Sequence, residues 1–378
     1  MTQTKVEAPF VANNANFRNV IINGDMSISQ RATGTTTISG TAHNTLDRFA
    51  GMESTGGTAT LEQHSMSVAD QATTGQRYAA LWKCSGTDSS IGAAEYAGLQ
   101  YFAEAQHLQH FLYGTSAAKD LTLSFWVKSN TTGTYSIGIY KPDNTGYYHP
   151  TTYAISSADT WEKKVIHISP TAGSTSLITA SGGAIANDNG LGIAFYFYTA
   201  LGSNYHTSAI NTWSTTADFG TSDQPNLMSS TDNNWYITGV QLEVGDQASD
   251  FEHIPHDVTL QRCMRYYETS NPNISGNAAV NDRIAYIPFN PYSTSVAYGT
   301  WYYKVQKRAA PTITHGSAVW NVYQDGGVLT NSGQGNTDGI GFNNMCIYLN
   351  GWSNSGNADH SMFADYRAHN GMTFDSEL

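Results

Sequence analysis

The feature that most constrains this chain is a period of two in its apolar residues, repeated in short runs between turn-rich segments. In Leu121-Thr-Leu-Ser-Phe-Trp-Val-Lys128, the side chains of Leu121, Leu123, Phe125 and Val127 fall on one face, and Thr122, Ser124, Trp126 and Lys128 on the other. Successive residues of an extended strand point to opposite sides, so this run reads as a central strand. Trp235-Tyr-Ile-Thr-Gly-Val-Gln-Leu-Glu-Val-Gly245 alternates too, with Tyr236, Val240, Leu242 and Val244 set against Ile237, Gly239, Gln241 and Glu243. It reads as the closing strand of a large domain. Further strands are expected over 19–31, bent at Gly24, and over 78–83, 134–140 and 161–168. Leu191–Tyr198 is apolar on both faces, and one short helix is expected at 104–113. Strands without helical crossovers predict an all-β chain whose residues 18–254 form an antiparallel jelly-roll β-sandwich. Its expected core includes Leu121, Leu123, Phe125, Ile193 or Ala194, Val240 and Leu242. The absence of a fixed-length repeat argues against a β-helix.

Beyond Asp246 the pattern changes. Residues 255–270 read as a short linking helix: Pro255 precedes a capping Asp257, and Leu260, Met264 and Tyr267 recur at helical spacing. Short strands follow at 283–289, 298–305, 319–323, 345–349 and 362–368, joined by long Gly/Asn/Ser loops. They predict a smaller C-terminal β-sandwich over 271–378, a tip domain whose loops are the natural place for recognition. Residues 1–17 read as an arm, either a disordered terminus or a peg that docks on a larger assembly.

Composition narrows the function. Only 13% of residues are charged while 12% are aromatic, with 23 Tyr, which suits many short strands joined by polar turns. The net charge of −12 and the lack of a basic run exclude a phosphate-tracking groove, so no nucleic acid partner is expected. Cys84, Cys263 and Cys346 are odd in number and far apart, which fits neither a disulfide framework nor a C-x-x-C metal site. No apolar run approaches the ~18 residues of a membrane span, and Met1–Phe10 lacks a leader pattern. Release by lysis, without membrane insertion, is the expectation.

Five short sequences occur in order: Asn19-Val-Ile-Ile-Asn-Gly-Asp-Met-Ser, Leu46-Asp-Arg-Phe, Ser124-Phe-Trp-Val-Lys-Ser, Ile237-Thr-Gly-Val-Gln-Leu-Glu-Val-Gly and Gln261-Arg-Cys-Met-Arg-Tyr-Tyr-Glu. Together with the closing Phe374-Asp-Ser-Glu-Leu378, the series resembles the carbohydrate-binding-module-like domain of tail fibre and receptor-binding proteins of tailed bacteriophages. That resemblance implies a virion protein that acts outside the cell, attaches to host cell-surface polysaccharide and works as a homotrimer. Other virion proteins would meet it through the N-terminal arm. A long N-terminal shaft or baseplate-binding domain, present in many such proteins, is not read in this sequence.

Sugar rings present an apolar C–H face, so exposed aromatics beside polar groups are the candidate ligand-binding residues. Tyr147 and Tyr148, followed by His149, stand in one expected loop and Trp213 in another; Trp320, Tyr323 and Trp352 belong to the last segment. The alternative for each is a place in a core or a subunit contact. His107-x-x-His110 and His253-x-x-His256 could each put two imidazoles on one side of a turn, but zinc needs three or four ligands, and the pairs read as caps or surface histidines. Asp25 and Glu243, on the expected first and last strands, are candidates for a structural calcium, as the resemblance implies; no other cofactor is expected. No catalytic residue is nominated: the sequence singles out no carboxylate pair, and neither a G-x-S-x-G elbow nor an H-E-x-x-H helix is present. Non-catalytic glycan attachment is therefore the first reading. A polysaccharide depolymerase and a capsid-decorating fibre are the alternatives.

Overall fold

A computed structural model describes residues 17–270, 283–293, 296–315, 319–324, 327–332, 336–350, 362–367 and 372–378. The expected docking arm lies almost wholly outside them. The chain divides into two compact units, one through Thr259 and one over Leu260–Glu377.

The first unit contains β1 (Thr36–Thr37), β2 (Gly40–Ala42), β3 (Phe49–Glu53), β4 (Thr58–Ser65), β5 (Tyr78–Gly86) and β6 (Tyr96–Glu104). It continues with β7 (Leu121–Ser129), β8 (Gly133–Lys141), β9 (Tyr147–Ile155), β10 (Glu162–Ile168), β11 (Leu191–Leu201) and β12 (Asn234–Val244). They make two six-stranded sheets with orders β1-β4-β5-β12-β7-β10 and β2-β3-β6-β11-β8-β9, and every pairing is antiparallel. This is the expected jelly-roll sandwich. Alternation dictates which residues fill it: Leu121, Leu123, Phe125 and Val127 from β7 meet Phe195 and Phe197 from β11 in one core, with Trp82 and Trp235 also fully buried.

In β12 the alternation does not run straight through. Trp235 and Ile237 point inward, and so do Val240 and Leu242, because a bulge between Thr238 and Gln241 shifts the phase by one residue. Gly239 takes φ 60° there, a conformation that costs glycine nothing. Tyr236 therefore lies on the outer face, which corrects its expected sharing of a face with Val240 and Leu242; Val244 keeps their phase and is exposed as the last residue of the strand.

Residues 19–31 do not form the expected strand; they are turns and irregular chain, with Asn23 and Met26 at φ 64° and 59°. Two buried asparagines hold them. Asn19 Oδ1 accepts from the amides of Ile21 and Leu242, both at 3.0 Å, and its Nδ2 donates to Val240 O. Asn23 Nδ2 donates to the carbonyls of Ile28 and Asp47, while its Oδ1 accepts from Ile28 N. Gly24 lies so close to β12 that a Cβ there would meet Val240 O at 2.0 Å.

Helices are few. Residues 104–113 yield a 3-10 helix, Ala105–Phe111, ended by Leu112 at φ 55°. The sequence reading missed α1 (Val68–Thr74), whose start is capped by Ser67 Oγ accepting from Asp70 N and whose end is Gly75 at φ 74°. The linking helix is shorter than expected: α2 runs over His256–Met264. Tyr267 belongs instead to strand β13 (Tyr267–Thr269), so the stripe Leu260–Met264–Tyr267 does not form; Thr259, Cys263 and Tyr266 are the buried positions.

In the second unit, β14 (Arg283–Ser293), β15 (Val296–Tyr302), β16 (Thr312–His315), β17 (Val319–Gln324), β18 (Gly327–Ser332), β19 (Asn336–Ile340), β20 (Asn344–Asn350), β21 (Met362–Arg367) and β22 (Met372–Asp375) follow β13. One sheet is ordered β18-β17-β21-β14-β15-β20-β19 and the other β13-β22-β16. The closing stretch thus begins inside a central strand, β22, whose Phe374 is fully buried against Trp301 and Tyr303. Lys307 and Glu268 form a buried ion pair at 2.5 Å, with Lys307 Nζ also donating to Met264 O.

His149, on β9, is a core residue at 1% exposure, and burial pushes its pKa down to about 4. The unfolded chain takes up that proton near pH 6.5 while the folded chain resists it, so stability falls as pH drops from about 6.5 toward 4. Between pH 7 and pH 4 the wild type should lose about 3 kcal/mol more than a His149→Gln variant, measured by urea unfolding across the range.

Candidate functional site

Alternation sends every second residue of the second sheet outward, and that face is built from rings and small residues. Register places Phe102, Ala194, Tyr140 and Tyr148 in one row across β6, β11, β8 and β9. The adjacent row, starting on β3, is Ala50, Gln100, Tyr196, Gly138 and Pro150. Phe102, Tyr140, Tyr148 and Tyr196 are each half-buried, so they keep exposed surface. The Tyr140 and Tyr148 rings stack at 4.6 Å with 16° between planes, and Phe102 meets Tyr196 edge-on at 6.0 Å. Burial, with the nearby Tyr140, Tyr148 and Tyr96, pushes Tyr196 up to about 12; burial and Tyr148 raise Tyr140. Both phenols are therefore neutral at physiological pH, with hydroxyls able to donate and accept. Three strand spacings separate β6 from β9, so the platform is about 14 Å across.

One side of the platform is closed by the segment after β11. Ser214 pairs with Tyr148 through N–H to O bonds of 3.0 and 2.9 Å, extending the sheet beyond β9. The chain then turns back, and Phe219 sits on the face where Gly138 has no side chain; a Cβ there would meet the Phe219 ring at 2.6 Å. Phe219 stands perpendicular to Tyr148 at 5.3 Å and to Tyr196 at 5.5 Å.

Cations are almost missing from this half of the sandwich. Of the 18 Lys and Arg residues, the second sheet's strands and residues 202–226 contain one, Lys141. Lys141 is fully buried, its ammonium donating to the carbonyls of Asp143, Gly182 and Ala184, and burial lowers its pKa to about 8. The first sheet's outer face is different. There Lys128 lies 4.9 and 4.6 Å from the Trp161 and Tyr236 rings and 3.7 Å from Asp70 of α1, which also accepts from Trp161 Nε1. Those rings are already engaged by protein groups.

The structure separates the expected aromatic sites. Residues 147–155 form edge strand β9 rather than a loop, so neighbours diverge: Tyr148 joins the platform while Tyr147 and His149 point into the core. Pro150 helped to disguise this strand, because proline in a sheet is confined to edges. Trp213 is buried too, with Nε1 donating to Ser169 O at 2.9 Å and its ring against His149 and Tyr113. The backbones of Trp320 and Tyr323 lie in β17, and Trp352 lies outside the described residues. Phe102, Tyr140 and Tyr196 were missed, since Leu191–Tyr198 reads as apolar on both sides; their phase relative to inward Ile139, Phe195 and Phe197 was the available signal.

The metal candidates are engaged within the protein. Glu243 accepts from Ser249 N, Ser249 Oγ and Gln241 Nε2 and lies 3.5 Å from Arg18, while Asp25 accepts from Ser27. His110 packs on the Phe111 ring and His253 on Phe251. Among the described residues no group of three or more His, Cys, Asp or Glu is placed to hold a metal ion.

No protein-family model matches the chain, and no curated protein matches it. Solved structures similar to it include a putative sugar binding protein from Bacteroides thetaiotaomicron, 14% identical, with 60% of this chain and 100% of that one covered at a TM-score of 0.32. The enzymatically active domain of bacteriophage CBA120 tailspike protein 4 is 11% identical, covered over 60% of this chain and 22% of that one, with a TM-score of 0.29. A family 11 carbohydrate-binding module from Clostridium thermocellum is 14% identical, covered over 59% and 99%, with a TM-score of 0.27. Likenesses this slight carry no argument about what this chain binds.

The division of the aromatics has a direct test in stability. Tyr147→Ala and Trp213→Ala empty core positions and should cost about 3–5 kcal/mol in urea unfolding, whereas Tyr148→Ala and Tyr196→Ala, half-exposed, should cost no more than about 2 kcal/mol.

Proposed function

We propose that this chain is a non-catalytic bacteriophage virion protein that attaches the particle to host cell-surface glycan through the aromatic face of its second sheet. The observation that carries this reading is the platform of Phe102, Tyr140, Tyr148 and Tyr196, four half-buried rings that carry three phenolic hydroxyls. Rings of this kind stack on the C–H face of a pyranose, while hydroxyl and amide groups bond its hydroxyls. The near-absence of cations favours an uncharged glycan, since a uronic or phosphorylated chain would gain no ion pair on a protein of charge −12. The carboxylates on the strands of this sheet, Glu53 and Glu104, pair in register with Ala97 and Leu191 at opposite ends of β6 and β11. Their spacing, about 24 Å along the strands, far exceeds the roughly 5–10 Å that glycoside cleavage uses.

The virion setting rests on the resemblance of the short sequence words. In this reading residues 1–17 dock the protein on other virion components, and the working unit is a homotrimer, in which weak identical sites gain avidity of about 10²–10⁴. Light scattering of the purified chain should give about three times the 41.0 kDa chain mass; a monomer mass would contradict the trimer for the free protein. The binding reading is tested by calorimetric titration with neutral polysaccharides. Tyr196→Ala and Tyr148→Ala should each weaken binding about tenfold or more, and raising salt from 50 to 500 mM should change it by less than about threefold, because no charge pair is made. Binding unaffected by both substitutions would remove this face from the account.

A further inference from the structure

The segment that crosses the platform does more than cover sheet. We propose, building on the glycan-binding reading, that Phe219 is a specificity-determining residue that restricts the site to unbranched chains. A sugar ring stacked on Tyr148 or Tyr196 has Phe219 as its immediate neighbour on one side, because that ring stands perpendicular to both tyrosines at 5.3 and 5.5 Å. It occupies the space above Gly138, the one position in its row where the sheet leaves a gap for a substituent. A branch projecting from the stacked sugar toward that gap meets the Phe219 ring. A linear chain running along the row from Phe102 to Tyr148 passes beside that ring and sends no substituent into it.

The wall is fixed in place. Phe219 N and Gly220 N both donate to Tyr205 O, and Thr221 N donates to Ser136 Oγ on β8. Gln224 bonds Ser136 N and Tyr198 O, tying the far end of the segment to two strands of the same sheet. Gly220 lies against Ser136 so closely that a Cβ would meet its side chain at 2.4 Å. With Ser214 paired to Tyr148 on the other flank, both ends of the turn are bonded to the sheet that carries the stacking rings. A segment held in this way sets the shape of the site; it is not built as a lid, which would need an end free to swing. Phe219 also makes edge contacts with Tyr205 and Tyr198, so it is packed on the side away from the open rings as well.

The test uses the full chain and a panel of linear neutral gluco-, galacto- and manno-oligosaccharides, each paired with the same backbone carrying one single-sugar branch, titrated by calorimetry. For the linear sugar that binds, the wild type should bind its branched counterpart at least tenfold more weakly. Phe219→Ala should recover most of that difference, read as the ratio of linear to branched affinity within the variant. Phe219→Leu, a smaller apolar plug, should fall between and serves as the second variant if the alanine form does not fold, with near-ultraviolet circular dichroism as the folding check. Equal binding of linear and branched sugars by the wild type, or a parallel loss of both in Phe219→Ala and Phe219→Leu, would overturn the proposal while leaving glycan binding intact. Failure of every neutral sugar to bind the wild type would remove the glycan reading and this proposal with it.

Discussion

The first unit depends on one join between chain segments more than 200 residues apart. The side-chain amide of Asn19 accepts from Leu242 N and donates to Val240 O, and the backbone adds Val20 N to Leu242 O at 3.1 Å and Val240 N to Gly24 O at 2.9 Å. These bonds are buried, where an unmade partner costs about 1–3 kcal/mol. They satisfy the backbone of β12 around its bulge, where the ladder to β7 is interrupted. The bulge lets Trp235 and Ile237, before it, and Val240 and Leu242, after it, all enter the same core. A second asparagine, Asn23, ties this segment to the carbonyl of Asp47. Arg48 follows with its guanidinium 5.5 Å over the Tyr101 ring, and Tyr101 Oη accepts from Ile22 N. The sequence words around Asn19, Leu46 and Ile237 thus meet in one place, which gives a physical reason for them to occur together in a chain.

The core strands could be read from sequence because half-buried strands write their burial as alternation. Leu121–Lys128 does so without interruption, and the structure places Leu121, Leu123, Phe125 and Val127 at 0% exposure. Where a local device breaks the period, the reading breaks with it. Gly239 reverses the phase in β12, and side-chain-to-backbone bonds from Asn19 and Asn23 turn an apolar run into a set of turns. Strand β9 was hidden for a different reason: Tyr-Tyr-His-Pro-Thr-Thr has few aliphatic residues, and its place at a sheet edge, where proline is tolerated, depends on tertiary context. Helix α2 ended early because Tyr267 and Glu268 are taken by a ladder with β22, more than 100 residues downstream.

The candidate site follows from the same geometry. Tyr147 and Tyr148 look equivalent in a sequence, yet one packs in the core and the other joins a platform, since adjacent strand residues cannot share a face. The platform draws single rings from β6, β8, β9 and β11, so no local stretch contains it; it exists only through register. What the sequence does show is an imbalance of charge, with Lys83, Lys128, Lys163 and Lys164 on strands of the first sheet and Lys141 alone on the second. Combined with the phase of each strand, that imbalance sets a neutral aromatic surface apart from a charged one.

In the proposed reading the outer face of the second sheet is the binding surface. Amide hydrogen exchange of the full chain, with and without the tightest-binding neutral oligosaccharide, tests it directly. Exchange should slow in β6, β8, β9, β11 and around Phe219, with the first sheet unchanged. Protection confined to β17 and its neighbours in the second unit, with the platform strands unaffected, would contradict it.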